Sequence, residues 1–465
     1  MIGAELTLKH KYRGKWWRPS NRDVAKDGEL IYDVTKGIHL HTFGKVEPKN
    51  SSTQAEVNII WGTTETGYPV TLLGTRRIST VFHVPNPEPS CTYRTDYAIL
   101  GIHIENASNH FISSLSFCIS YLEEWIGKSL FDHQFREKPE RIIINKPTSD
   151  TYQLNETKEL EIFYGYVSRG GQYKLDYKQQ NVVTFSYLQP VDLDEAIGDI
   201  KQFRRFLELC CARICYPTEI FCDQESLDFR IAILKHFSGI DTYRGSGFDR
   251  YQSLITYEKI KDFTEAYNRW SIVYSAYAST VSMFFGNLYS KKSQIAYQFV
   301  AACFALESYH RNKTGECRIV NEDRWNAYKD QIENSLPRNI PTELLQSVKS
   351  SIEYSNDISF RTRLKELLKR FCLLNISQGS RDSIANAIVA TRNEIVHGLE
   401  KQKDSVCRAD YPLFLDFLTA HVQACLLSEI VGDDNVAHDC VSTQEWFPVV
   451  IRDVSCYSSG KKTTN

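Results

Sequence analysis

The spacing of hydrophobic positions changes period near the middle of the chain, and the change predicts two kinds of architecture. Short segments rich in β-branched and aromatic residues fill the first half, at 30–32, 37–43, 56–61, 70–73 and 97–104, then at 141–145, 159–167 and 181–188. Clusters of Gly, Pro, Asn and Ser separate them, as strands joined by turns require. In Ile38-His39-Leu40-His41 the period is two, so the aliphatic pair shares one face and the histidines the other. This spacing suggests a sandwich-like β-rich region, or two successive β units. From about Asp192 the pattern turns helical through Ile200, Phe203, Phe206 and Leu207.

The second half repeats in steps of three and four. One stripe runs from Tyr257 through Phe263, Tyr267, Trp270, Tyr274 and Tyr277 to Phe284. A second holds Ile295, Phe299, Ala302, Leu306 and Tyr309, with Ser293, just after Lys291-Lys292, as its expected N-cap. A third carries Leu364, Leu367, Leu368, Phe371 and Leu374. A fourth starts near Ser380 and Asp382, holds Ile384, Ile388, Val389, Ile395 and Val396, and stops near Gly398. A fifth spans 414–430. The pattern predicts an α+β protein: a β-rich region over 1–290, with helical segments from about 192, an antiparallel helical bundle over 291–435, and a polar tail over 436–465. No internal repeat is visible.

Composition adds limits. The 465 residues carry 55 Lys+Arg against 57 Asp+Glu, which excludes a protein that is basic throughout but leaves room for a local basic site. The N-terminal residues form no apolar leader, and the apolar run at 414–430 is interrupted by Asp416, His421 and Gln423, so it reads as a buried helix. A cytoplasmic protein without a membrane partner is expected. Of the 13 cysteines, Cys210, Cys211, Cys215 and Cys222 lie closest together; no second ligand pair follows them, and buried reduced thiols are expected rather than zinc.

One compact constellation carries chemistry: Arg392-Asn393-Glu394-Ile395-Val396-His397, followed by Gly398. Imidazole can take a proton from a ribose 2′-OH and return one to a leaving 5′-oxygen, while guanidinium grips a phosphate and stabilises charge in the transition state. Asn393 and His397 are i,i+4 neighbours on a helix, so the amide is placed to orient the ring. Arg392 and His397 lie about 140° apart round a regular helix, a separation that two facing helices of a symmetric dimer would resolve. Arg and His at similar spacing also occur at Arg77/His83 and Arg230/His236, without a following Asn or a helix-ending Gly. Spacing alone favours the plainer reading, a cation complementing a helix C-terminus. Glu307, near His310 and Arg311, reads mainly as a solvated face, with an orienting carboxylate as the alternative. Arg361, Arg363, Lys365, Lys369 and Arg370 make the third helix basic, as a phosphate-tracking surface or an exposed face. Trp16 and Trp17 suit a core or a stacking platform, and the adjacent Glu123 and Glu124 point too far apart for an acid/base pair.

A bundle with R-N-x3-H late in its penultimate helix resembles the HEPN superfamily of ribonucleases. The segments Gly14-Lys15-Trp16-Trp17-Arg18-Pro19, Gly28-Glu29-Leu30-Ile31-Tyr32, Gly37-Ile38-His39-Leu40, the stretch from Glu65 to Gly74, and Leu122-Glu123-Glu124-Trp125-Ile126-Gly127 resemble the ApeA N-terminal domain. That domain is fused to a C-terminal HEPN domain in bacterial anti-phage proteins. The resemblance implies a metal-independent endoribonuclease that uses no cofactor, acts on RNA with tRNA as one candidate, works as a homodimer or higher oligomer, and serves abortive infection. Residue by residue, Arg392 matches the motif Arg, Asn393 its polar neighbour and His397 the motif His. The expected roles are His397 as general base and acid, Arg392 as transition-state stabiliser and Asn393 as orienter. The products would carry 2′,3′-cyclic phosphate and 5′-hydroxyl ends. The N-terminal region is then the expected sensor of a phage-derived trigger, a phage protein among the candidates. A second class stays open: a catalytically silent module that binds RNA, nucleotide or protein.

Overall fold

Strands with one apolar face build most of the N-terminal part. They are β1 (His10–Arg18), β2 (Asn21–Asp33), β3 (Gly37–Phe43), β4 (Ile59–Thr64), β5 (Pro69–Leu73), β6 (Arg76–Val81), β7 (Ser90–Thr95), β8 (Tyr97–Leu100), β9 (Ile112–Ile119), β10 (Phe131–Gln134), β11 (Arg141–Ile144), β12 (Thr148–Asn155), β13 (Lys158–Gly171), β14 (Lys174–Val191), β15 (Pro217–Cys222) and β16 (Ile231–Lys235). The computed structural model describes residues 5–47, 58–82, 88–106, 108, 110–134, 141–171, 173–222, 230–237, 239–240, 247–290, 293–315, 318–337, 339–371, 373, 377–399 and 404–458. Two units result, Met1–Tyr267 and Asn268–Asn465.

Among the described residues of the first unit fourteen strands join in one sheet, ordered β12-β13-β14-β9-β15-β16-β8-β5-β4-β1-β2-β3-β7-β6, while β10 and β11 pair separately. Every neighbouring pair among the described residues is antiparallel. The strands read as sandwich-like in the sequence thus run as a continuous hydrogen-bonded layer. Register puts Leu30 opposite Leu40 and Tyr32 opposite Ile38, all four buried, while His41 on the other face is exposed. Trp16 is fully buried beside Gly28 and Gly62, and a Cβ at Gly62 would overlap its indole. Trp16 is therefore core. Short helix α1 (Leu122–Ile126) buries Leu122, Trp125 and Ile126.

Helix α2 (Leu193–Cys211) begins where expected, because the Asp192 carboxylate accepts the Glu195 N–H at 2.9 Å. It lays Ile197, Ile200, Phe203, Phe206 and Leu207 onto the sheet, with Phe203 5.5 Å from the Phe117 ring. Cys210, Cys211, Cys215 and Cys222 are all buried, and burial pushes the Cys211 and Cys215 thiols up.

Helices make the second unit: the end of α3 (Phe263–Ala276), then α4 (Ala278–Tyr289), α5 (Ile295–Thr314), α6 (Glu322–Asn334), α7 (Thr342–Glu353), α8 (Phe360–Phe371), α9 (Gln378–His397), α10 (Tyr411–Val431), α11 (Asp434–Ser442) and α12 (Phe447–Ser458). α10 is the core helix. It is packed on most sides, and although the stretch Arg408–Val431 is long and apolar enough to cross a membrane, 72% of its most apolar window is buried inside the protein.

Several expectations need correcting. The stripe from Tyr257 to Phe284 is a 3-10 turn at Tyr257–Lys259 followed by two helices that break at Tyr277. The second unit accordingly begins ahead of Lys291, the expected start of the helical domain. The residue at the N-cap of α5 is Gln294 rather than Ser293, and it makes no capping bond. The segment read as a polar tail from 436 contains most of α11 and all of α12, whose Ala437, Cys440, Val441, Phe447, Val450 and Val454 are buried; these apolar positions recur at helical spacing within a polar background. His83, Leu374 and residues 459–465 lie outside the described residues.

Candidate active site

Helix α9 holds the R-x4-H segment in a fixed frame. Ser377 caps it by accepting the Ser380 N–H at 3.2 Å, and Ile384, Ala385, Ile388 and Val389 are buried along its inner side. Thr391, fully buried beside the motif, donates its hydroxyl to Ala387 O at 2.7 Å and accepts the Val406 N–H at 2.8 Å, which ties the returning chain to the helix. The helix ends at Gly398, whose φ of 61° lies in the left-handed region and whose N–H returns to Glu394 O. His397 is thereby the last helical residue.

Arg392 turns onto α5. Its Cζ stands 4.9 Å from the Phe304 ring centroid, Nη2 is 3.8 Å from Glu307 Oε2, and Nη1 donates to Asn393 Oδ1 at 3.0 Å. Its Nε is buried and has no hydrogen-bond partner among the described residues. Glu307 also accepts from Arg311 at 3.1 Å and is 17% exposed, so it belongs to the Arg392 setting rather than to a solvated face. Burial beneath this layer pushes the Cys303 thiol up. Asn393 thus engages Arg392, not His397. The His397 side chain is exposed and makes no hydrogen bond to another described residue; exposed Val396 and Leu399 flank it.

The basic helix α8 is largely committed to internal contacts. Arg363 is 2% exposed and donates from Nε to Ile358 O at 3.0 Å and from Nη1 to His310 Nδ1 at 3.1 Å. A guanidinium only donates, so Nδ1 of His310 accepts, and Nε2–H donates to Glu366 at 2.6 Å. Lys365 pairs with Asp382 at 3.3 Å, and Arg370 is held by Asp434. Only Arg361 and Lys369 of the five remain at exposed positions. Trp17, unlike Trp16, borders a trough in the sheet, but the Arg22 guanidinium covers it at 5.3 Å and the His103 ring meets it edge-on at 5.6 Å. Glu123 accepts the Asn181 N–H at 2.8 Å, a structural bond. No group of three or more His, Cys, Asp or Glu among the described residues is placed to hold a metal ion.

Sequence reasoning missed the Thr391 tie, for which a lone Thr in an aliphatic helix gives no signal. For Glu307 it favoured a solvated face over an orienting carboxylate, since the Arg392 that it faces is distant in the chain.

The helical part, with R-N-x3-H closing α9, lies largely within residues 300–435, which match the family described as Apea-like HEPN. Residues 11–270 match the ApeA N-terminal domain 1 family, more than half of the chain, and the chain belongs to that family. The pairing supports, at family level, a HEPN nuclease in anti-phage defence. Comparison with curated proteins and with solved structures gives no significant match.

Proposed function

We propose that the protein is a metal-independent endoribonuclease that cleaves RNA, tRNA being the first substrate to try, by attack of a ribose 2′-oxygen on the neighbouring phosphorus. His397 takes the 2′-OH proton, the 2′-oxygen bonds to phosphorus, and the 5′-oxygen leaves with a proton returned by an imidazolium. The fragments carry 2′,3′-cyclic phosphate and 5′-hydroxyl ends. Arg392 stabilises the non-bridging oxygens.

One observation carries this reading. Arg392 is oriented by Phe304, Glu307 and Asn393, yet among the described residues its guanidinium forms only one hydrogen bond, to Asn393, and so keeps donor capacity for a phosphate. A guanidinium serving only as a helix cap would be expected to spend its donors on backbone carbonyls. His397, exposed between Val396 and Leu399, suits completion of the site by a second copy, so the working form is a homodimer or larger. The N-terminal region senses a phage-derived trigger in the cytoplasm and releases the nuclease.

The test incubates the full chain with bulk tRNA, with and without EDTA and with extract of phage-infected cells. Fragments that persist in EDTA and vanish in His397→Ala and Arg392→Ala are expected. Cleavage surviving His397→Ala overturns the mechanism, and an inert wild type in infected-cell extract favours a binding module.

A further inference from the structure

A cavity of the N-terminal unit, about 1060 Å3, is an open trough on one face of five neighbouring strands, β4, β1, β2, β3 and β7. Side chains alternate along each strand, so β1 gives Trp16 to the core while Arg13, Lys15 and Trp17 line the trough. Cross-strand register then writes charge in rows. Arg13 faces Glu29, which faces His41 on β3; one pleat along, Lys15 faces Asp27 on one side and Thr63 on the other.

Three features define what the trough can take. Its lining holds three cations, Arg13, Lys15 and Arg22, against three carboxylates, Asp27, Glu29 and Glu65, so it offers no net positive field to a polyphosphate backbone. The side chains of Lys15, Asp27 and Glu65 make no hydrogen bond or ion pair with another described residue, whereas Glu29 is engaged by Arg13 at 3.4 Å and Lys11 at 3.5 Å. Unpaired groups of both signs therefore stand side by side. Phe43, at the wall, is 71% exposed and offers an apolar seat, while the Trp17 face is already covered by Arg22.

We propose that this trough binds an extended polypeptide segment of mixed charge, anchored by an apolar or aromatic side chain on Phe43. Five strands at about 4.8 Å spacing span roughly 19 Å, which an extended chain covers with about six residues. β1, β2 and β3 lie inside the sheet with both edges paired, so recognition is by side chains and not by addition of a strand. The inference rests on the reading of the N-terminal region as the sensor, and deepens it by naming the ligand class.

The experiment presents the full chain with an immobilised library of short synthetic peptides of random sequence, with a short DNA oligonucleotide as competitor. Retention of peptides that combine both charge signs with an aromatic residue is expected, unaffected by DNA. Phe43→Ala should weaken retention at least about tenfold. The double exchange Lys15→Glu with Asp27→Lys should select a different set with the charge order reversed. Circular dichroism should match wild type in both, since these side chains are exposed. An empty selection, an identical set in both variants, or displacement by DNA overturns the proposal. Selected peptides that bind at the trough but leave RNA cleavage unchanged would refute the sensing role and leave the ligand class standing. Cleavage switched on by infected-cell extract while no peptide is retained would uphold sensing and refute the trough.

Discussion

Arg370 of α8 and Asp434 at the start of α11 meet through two hydrogen bonds of 2.8 Å, Nε to Oδ2 and Nη2 to Oδ1. The fork-on-fork pairing holds the Asp434 carboxyl below its ordinary range and raises Arg370 further. Arg370 also donates to the hydroxyls of Tyr309 at 2.8 Å and Ser428 at 3.1 Å, so one side chain joins α5, α8, α10 and α11.

That joint makes the segment beyond Gly432 part of the fold. Arg370→Ala and Asp434→Ala should each lower the stability of the C-terminal unit by about 2 kcal/mol, with a double-mutant coupling of about 1 kcal/mol or more, read by urea unfolding. A chain ending at Gly432 loses the partner of Arg370 together with the buried Val441, Phe447 and Val454. It should unfold without a cooperative transition in that unit.

Glu307 is expected to position Arg392 without touching RNA. Glu307→Gln keeps an acceptor for Arg311 but removes the charge facing the Arg392 guanidinium. Cleavage of tRNA should fall by about 10-fold to 100-fold in kcat with KM little changed, while circular dichroism stays at wild type. Arg392→Lys should not restore activity, because an ammonium lacks the planar fork. A rise in KM at constant kcat would instead assign Glu307 to substrate binding.

Although the cap of α9 is Ser377 and not the Ser380 near which the start is expected, the sequence made the helix legible because its signals are local: an apolar stripe and a Gly where the backbone turns left-handed at φ 61°. The same was true of α2 and its Asp192 cap. Helix α6 buries no residue, and its short stripe of Trp325, Tyr328 and Ile332 in a charged background is not read as a helix. Basic α8 misled for a different reason. Whether Arg363 meets water or His310 depends on which turn of α5 lies against it, a tertiary fact that composition does not carry. The site shows the same division: Arg392, Asn393 and His397 stand out by their resemblance to the HEPN motif, since spacing alone favours a capping cation, while Phe304 and Glu307, which meet Arg392, lie on α5.

Gly62 exists for Trp16. Because a Cβ there would overlap an indole with no exposed surface and nowhere to move, Gly62→Ala should destabilise the N-terminal unit by roughly 2 to 3 kcal/mol. The measurement is the denaturation midpoint of the full chain. Gly171→Ala serves as the control, since a Cβ at that position meets nothing within 4 Å.

Two desolvated groups should give the units opposite responses to acid. Burial pushes the Glu123 carboxyl up from 4.5 to about 7, although it accepts the Asn181 N–H. The folded N-terminal unit therefore holds this proton more tightly than the unfolded chain. The contribution is complete below about pH 4.5 and is lost as pH rises through about 7. Glu123→Gln keeps the acceptor oxygen and should become more stable than wild type by on the order of 2 kcal/mol at about pH 8, with little difference at about pH 4.5. His421 behaves in the reverse sense. It is 1% exposed, donates from Nδ1 to Phe417 O at 2.9 Å, and is pushed down by burial from 6.5 to about 4. Stability from the neutral ring is present above about pH 6.5 and disappears as pH falls through about 4, so the advantage of His421→Leu over wild type should grow toward acid. Urea midpoints of the two variants across this range test both signs, and parallel curves for wild type and Glu123→Gln would show that Glu123 titrates normally.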